Sequence, residues 1–263
     1  MQSILITGAY GGMGRKTALA FRQKGFRIFA LDRKVAEAEE NIIPIEADLT
    51  DPESVKNAFQ TVRAHTDALY AIIHFAGIYT LDSLVEMSHE DFTKAFAVNV
   101  FGAALINREF LPLLKRGSRI LITTSELAPL APLPFTGLYA VTKSALDQYA
   151  YSLAMELQLL GISVSVLRAG AVDTGMLGVS TDALDRFVKN TALYSCNAER
   201  FKRIVDGVEA KKIPPERIAR KAENILAKKN PRFAYHVNRN PLLLLLNALP
   251  RTVQMAVIKR ILE

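Results

Sequence analysis

Residues 2 to 6, QSILI, form a short apolar run that passes at once into Thr7-Gly8-Ala9-Tyr10-Gly11-Gly12-Met13-Gly14. The helix-period stretch MGRKTALAFRQKG follows, closed by Gly25. Strand, glycine turn and helix in immediate succession leave few choices of fold. Glycines let a tight turn bring backbone N–H groups close to a pyrophosphate, where a Cβ would obstruct the approach. The helix beginning near Gly12 then aims its unpaired N–H groups and the positive end of its dipole at the phosphates. Thr7, Gly8, Gly12, Met13 and Gly14 are therefore candidate cofactor-binding residues. The plain alternative is a tight structural turn.

Apolar strand-like runs recur at 27–31, 42–45, 69–73, 119–123, 162–167 and 232–237, with helical patterns between most of them. Strands apolar on both faces that alternate with helices predict an α/β fold, a doubly wound and mostly parallel sheet with helices on both faces. Only about ten residues separate Asp32 from the third strand, so any helix there is reduced to a turn or two. A chain of 263 residues, half of them apolar, suits one domain over 1–263, with no repeat or linker inside it.

One cysteine, Cys196, and no leader-like start fit a reducing cytoplasm. Residues 200 to 263 carry fifteen Lys and Arg against five Asp and Glu within a total formal charge of +7. This basic end lacks aromatic interleaving and any zinc-finger or recognition-helix pattern, which argues against nucleic acid. The run LLLLL at 242–246 is too short to span a bilayer.

Asp32 ends the second strand, where a carboxylate can accept hydrogen bonds from an adenosine ribose and repels a 2′-phosphate. That favours NAD. Arg33 follows at once and suits the phosphate of NADP, so NADP stays open. Further along, Tyr139 and Lys143 stand four residues apart on one helix face and so address one pocket. A nearby ammonium favours the phenolate and pulls the tyrosine toward working pH, which suits proton exchange with an alcohol. The strand RILITTS delivers Ser125 to its end, a place where sites form in parallel sheets, and its hydroxyl can donate to a developing oxyanion.

Together these residues resemble a short-chain dehydrogenase/reductase of the short, single-domain type, a Rossmann fold, over roughly residues 2 to 175. The family's T-G-x-x-x-G-x-G matches Thr7, Gly8, Gly12 and Gly14, and its Y-x-x-x-K matches Tyr139 and Lys143. The resemblance implies a catalytic set of Ser125, Tyr139, Lys143 and Asn99, of which Tyr139 and Lys143 also bind the cofactor and Asn99 anchors a water that relays protons to the lysine. It also implies that Asp48 and Leu49 border the adenine, that Ala76 and Gly77 let the cofactor pass, and that Val172 and Thr174 meet the nicotinamide. Where the family has N-N-A-G this chain has His74-Phe75-Ala76-Gly77, and its P-G becomes Ala169-Gly170. His74 as a base is not expected.

By the same resemblance a substrate loop spans 175–212, with Met176, Leu177, Phe187, Leu193 and Tyr194 available to line an apolar pocket. Residues 238–263 form an apolar, basic C-terminal segment. The implied activity is hydride transfer between NAD(P) and a hydrophobic, steroid- or retinoid-like secondary alcohol or ketone, in a homo-oligomer paired through helices around 89–114 and 139–160. For the C-terminal segment, a packed helix pair or subunit interface and contact with a membrane surface are both open. The alternative from another class is a nicotinamide-sensing or nucleic-acid-binding protein on the same fold, against which the intact Ser125, Tyr139, Lys143 and Asn99 argue.

Overall fold

The computed structural model describes residues 1–209 and 211–263, with side chains at 1–175, 182–207 and 211–263. Seven strands, β1 (Ser3–Thr7), β2 (Arg27–Asp32), β3 (Ile42–Glu46), β4 (Leu69–His74), β5 (Leu114–Ser125), β6 (Ser163–Ala169) and β7 (Ala234–Val237), form one sheet. Their order is β3-β2-β1-β4-β5-β6-β7. Every neighbouring pair is parallel.

Strand side chains alternate between two buried layers, as the two-residue period requires. Leu5, Phe29, Ile72 and Ile120 point to one layer, shared with Val55 of α2 (Pro52–Arg63), Ile106 and Phe110 of α4 (Gly102–Phe110) and Leu146 of α5 (Gly137–Leu157). Ile4, Ile6, Ile28 and Ile73 point to the other, shared with Phe21 of α1 (Gly12–Gln23) and Ile218 and Ile225 of α8 (Pro215–Leu226). Burying each such side chain contributes about 1.5–3 kcal/mol, so both helical layers are held by the sheet rather than by helix propensity.

A third, smaller cluster joins Phe135 to Leu184 and Phe187 of α6 (Gly175–Asn190), Phe201 of α7 (Ser195–Glu209) and Leu262 of α10 (Arg251–Leu262). α3 (His89–Phe96) runs through a π-helical turn, Ala97–Phe101, into α4, and α9 (Pro241–Asn247) precedes α10.

Two expectations change. Residues 33–41 contain no helix at all. A parallel return along a six-residue strand must cover roughly 20 Å, which nine helical residues at ~1.5 Å each would not reach. One acid in this connection serves instead as a clamp: Glu39 takes Arg15 and Arg22 of α1. Secondly, the stretch expected as a substrate loop is chiefly α6 and α7.

Candidate active site

The order reverses between β1 and β4, and the carboxyl ends of the central strands open there, as in other doubly wound sheets. α1 starts at that seam from Gly11, with no side-chain cap and no acid in its first turn, so its leading N–H groups face a groove that suits an anion. Gly8 has φ 66°, and a Cβ there would stand 2.6 Å from the amide nitrogen of Ala76. A Cβ on Gly14 would stand 2.1 Å from the Gly8 carbonyl oxygen. These two glycines are thus demanded by the turn folding on itself and against residues 75–76. Room for phosphate is a consequence of that fold.

Two adjoining cavities follow the turn. One, of about 340 Å³, is lined by Asp32, Arg33, Asp48, Leu49 and Ala76, and the other, of about 330 Å³, by Gly12, Met13, Gly14, Tyr79 and Thr174. Gly8, Gly11 and Gly77 border both. The lining suits an extended dinucleotide, with uncapped N–H groups at its middle and carboxylates at one end. Asp32 also braces the turn, accepting from the Tyr10 amide at 3.0 Å and from the Arg33 amide at 2.8 Å. Hydrogen bonds from Thr50 hold the Asp48 carboxyl below its ordinary pKa.

Tyr139 and Lys143 sit in the opening turns of α5, with Lys143 buried. The Lys143 ammonium lies 5.7 Å from the Tyr139 ring centroid and 3.5 Å from the Thr123 carbonyl oxygen. Ser125, at the end of β5, hydrogen-bonds the Tyr139 hydroxyl, and the Tyr79 ring lies 4.7 Å from that of Tyr139. Burial drives the Tyr139 phenol well above its ordinary pKa, with Tyr79 adding to the rise and Ser125 opposing it. Burial likewise pulls Lys143 down to about 8. The expected lowering of the tyrosine by the ammonium is outweighed by loss of solvent, which disfavours both charged forms.

Asn99 lies in the π-helical turn. Its Oδ1 accepts from the Ile78 amide at 2.8 Å, and its Nδ2 donates to the Ile78 carbonyl and to Thr142 Oγ1, each at 3.0 Å. A Cβ on Gly77 would be 3.1 Å from Asn99 Oδ1 and 3.2 Å from Lys143 Nζ, so the two groups converge on that glycine. Val172 bridges Ile213, and the Thr174 side chain fills the space beside Gly12.

Two supporting elements escaped the sequence reading. Arg168 of β6 forms a two-point ion pair with the buried Asp147 of α5, at 3.0 and 2.6 Å, while Asp147 also accepts from Thr124, next to Ser125. His74 bridges layers: Nε2 is 2.9 Å from Asn107 Oδ1 and Nδ1 is 3.5 Å from Thr7 Oγ1. Burial lowers its pKa to about 4, which leaves it neutral and structural. The unfolded chain binds this proton from pH 6.5 downward and the folded one only near 4. Stability is therefore lost as pH falls through that window, by about 2 kcal/mol between pH 7 and pH 5. His74→Asn should lose that much less over the same interval, as read from urea midpoints at the two pH values; equal losses would refute the assignment.

Beside Ser125, Tyr139 and Lys143 opens a cavity of about 250 Å³ lined by Leu127, Leu133, Phe201, Ile204, Val205 and Leu243. Glu126 and Asn240 line it too. Glu126 Oε2 accepts from the Asn240 amide at 2.6 Å, tying the start of α9 to the end of β5, and burial raises its pKa. Of the pocket residues expected from sequence, Phe187, Leu193 and Tyr194 fall elsewhere. Phe187 and Tyr194 pack their rings 4.6 and 5.3 Å from Phe135, and Leu193 is 65% exposed. Met176 and Leu177 lie outside the described side chains. The family resemblance puts Phe187 in a substrate loop, whereas it lies on α6 and its apolar surface serves the third core cluster.

Comparison with known proteins decides the family: the model for short chain dehydrogenases matches residues 2–185. The chain belongs to the short chain dehydrogenase family. Among its curated relatives is the uncharacterized oxidoreductase YbbO of Escherichia coli, 35% identical over 179 residues, 66% of each chain. Estradiol 17-beta-dehydrogenase 2 of Mus musculus is 32% identical over 187 residues, covering 66% of this chain and 49% of that one. The match thus spans less than two thirds of either relative's length. Among solved structures, a short-chain dehydrogenase from Streptomyces avermitilis superposes with a TM-score of 0.79 at 21% identity, covering 98% of this chain and 95% of that one. A 3-ketoacyl-(acyl-carrier-protein) reductase from Brucella melitensis, complexed with NADH, gives a TM-score of 0.73 at 20% identity over 90% and 96%. Every motif residue of this short chain dehydrogenase from Thr7 to Thr174 falls inside the family match, whereas Phe201, Ile204 and Leu243 of the apolar cavity fall outside it.

Proposed function

We propose that the chain is an NAD(P)-dependent oxidoreductase acting on a bulky apolar secondary alcohol or ketone. One observation carries the reading: Ser125, Tyr139 and Lys143 meet where an apolar cavity adjoins the groove along the glycine turn. A bound nicotinamide dinucleotide supplies or takes up the hydride. Its phosphates suit the α1 N-terminus with Gly8, Gly12, Met13 and Gly14, its ribose Asp32, its adenine Asp48 and Leu49, and its nicotinamide end Val172 and Thr174.

Ser125 Oγ donates to the substrate oxygen, and Tyr139 Oη moves the proton to or from it. Burial keeps the phenol in the protonated form that carbonyl reduction consumes, and the oxyanion developing on the substrate is the base that takes its proton. Lys143 Nζ, whose pKa burial lowers to about 8, passes the proton on to Tyr139 and is itself resupplied from the polar cluster at Asn99. The name of the mouse relative, an estradiol dehydrogenase, agrees with an apolar substrate. Since Phe201 and Leu243 line the same cavity as Ser125, the chain 1–263 works as one unit. Exposed Phe101, Tyr151, Met155 and Leu159 on the α4 and α5 side suit pairing into a homo-oligomer.

The deciding assay offers steroids, retinol and small secondary alcohols, and the matching ketones, with each nicotinamide cofactor, and follows reduced nicotinamide by absorbance. Turnover of a bulky apolar compound is expected. Turnover of the small polar compounds alone would defeat the substrate class, and silence despite measurable cofactor binding would defeat the activity.

For the cofactor, Asp32 favours NAD. Asp32→Ala should weaken NAD by about 10–100-fold, the loss of charge-assisted hydrogen bonds, and NADP by much less. Equal losses in fluorescence titrations would refute the ribose contact and leave only the brace to Tyr10.

A further inference from the structure

We propose that the outer face of α9 and α10 docks on the headgroup region of an anionic lipid bilayer, beside the apolar cavity. α9 has two sides. Leu243 lines the cavity, whereas Leu242 and Leu245 are each 66% exposed and continue along one stripe to Leu249. Val253 and Met255 of α10 are exposed as well, on different sides of that helix. Buried leucines in such a stripe need no partner; exposed ones three and four residues apart form a contiguous apolar surface.

Charge selects the partner. Residues 224–262 contain seven Lys and Arg and no Asp or Glu. Arg239, Arg251, Lys259 and Arg260 bracket the leucines; the carboxylates beside them are Glu263, 3.3 Å from Lys259, and the half-buried Glu126, which holds the Asn240 amide next to Arg239. Short helices with an apolar face and basic neighbours lie in the plane of an anionic interface, apolar side down. α9 and α10 have 7 and 12 residues, and no described helix is long and apolar enough to cross a membrane, so they rest on the bilayer without spanning it. A second copy of the chain fits this face less well, because two predominantly basic surfaces repel each other, and exposed apolar side chains on α5 and in the turn before α4 already offer a separate pairing surface. Nucleic acid finds no aromatic residue in α9 or α10 on which to stack.

Docking there would place the cavity next to the acyl region, from which an apolar substrate enters without crossing water. That link rests on the substrate class proposed above, while the docking itself does not.

The test therefore uses no turnover. The full chain is sedimented with phosphatidylcholine vesicles, with and without phosphatidylglycerol, at low and high salt. Binding is expected only with phosphatidylglycerol present, falling as salt rises. Leu242→Asp with Leu245→Asp should cut it about tenfold or more. Charge reversal at Arg251, Lys259 and Arg260 should reduce it to the level of neutral vesicles. An unchanged thermal melt and unchanged nicotinamide binding show that these exposed positions leave the fold intact. No binding to either vesicle, equal binding to both, or a concentration-dependent dimer abolished by the leucine variants would each overturn the proposal.

Discussion

Tyr139→Phe is expected to lower turnover by about two to four orders of magnitude while leaving cofactor affinity within a few-fold of the wild type. The variant removes one hydroxyl and keeps the ring that packs 4.7 Å from Tyr79. Neither the glycine turn nor the Asp32 end of the groove touches that hydroxyl, so the dinucleotide loses little. What is lost is the proton donor, together with the hydrogen bond to Ser125. A kcat measurement paired with a fluorescence titration of reduced nicotinamide separates the two effects. Collapse of cofactor binding would show that the hydroxyl positions the cofactor, and near-normal turnover would move the proton to another group.

The largest stability effect is expected at Arg168. Arg168→Met leaves Asp147, only 7% exposed at its side chain, charged and without its guanidinium partner. Breaking a buried pair in this way costs about 3–5 kcal/mol, which in a chain of this size lowers Tm by on the order of 10 °C. The cause is the stranded carboxylate rather than lost packing. Adding Asp147→Leu should therefore recover much of the loss, whereas a double variant as unstable as the sum of the singles would contradict it. Activity should suffer as well, since Asp147 also holds Thr124, the neighbour of Ser125.

Both expectations rest on residues of different legibility. Tyr139 and Lys143 are readable because their relation is local, four positions on one helix, and the glycine turn because it lies between a strand and a helix that announce themselves. The Arg168–Asp147 pair is not readable: its partners are 21 residues apart, on a strand and a helix, and only the packing of α5 on β6 brings them together. Glu126 reads as an ordinary loop acid until Asn240, 114 positions later, donates its amide to it. Phe187 is another such case: the family resemblance places it in a substrate loop, and only the packing around Phe135 shows which interior it enters. The pKa of Tyr139 depends on how completely the fold excludes water, a property that belongs to no short stretch of sequence.

The seam between β1 and β4 has a consequence for assembly. β1 pairs with β2 on one side, close in sequence, and with β4 on the other, across more than sixty residues, as in Thr7 beside His74. Closing that long loop is the slow, entropically costly part of building such a sheet. The groove forms only when it is done, because Gly8 completes its turn against Ala76. Nicotinamide binding during refolding therefore reports the docking of the two halves of the sheet, and lags any signal from helix formation alone.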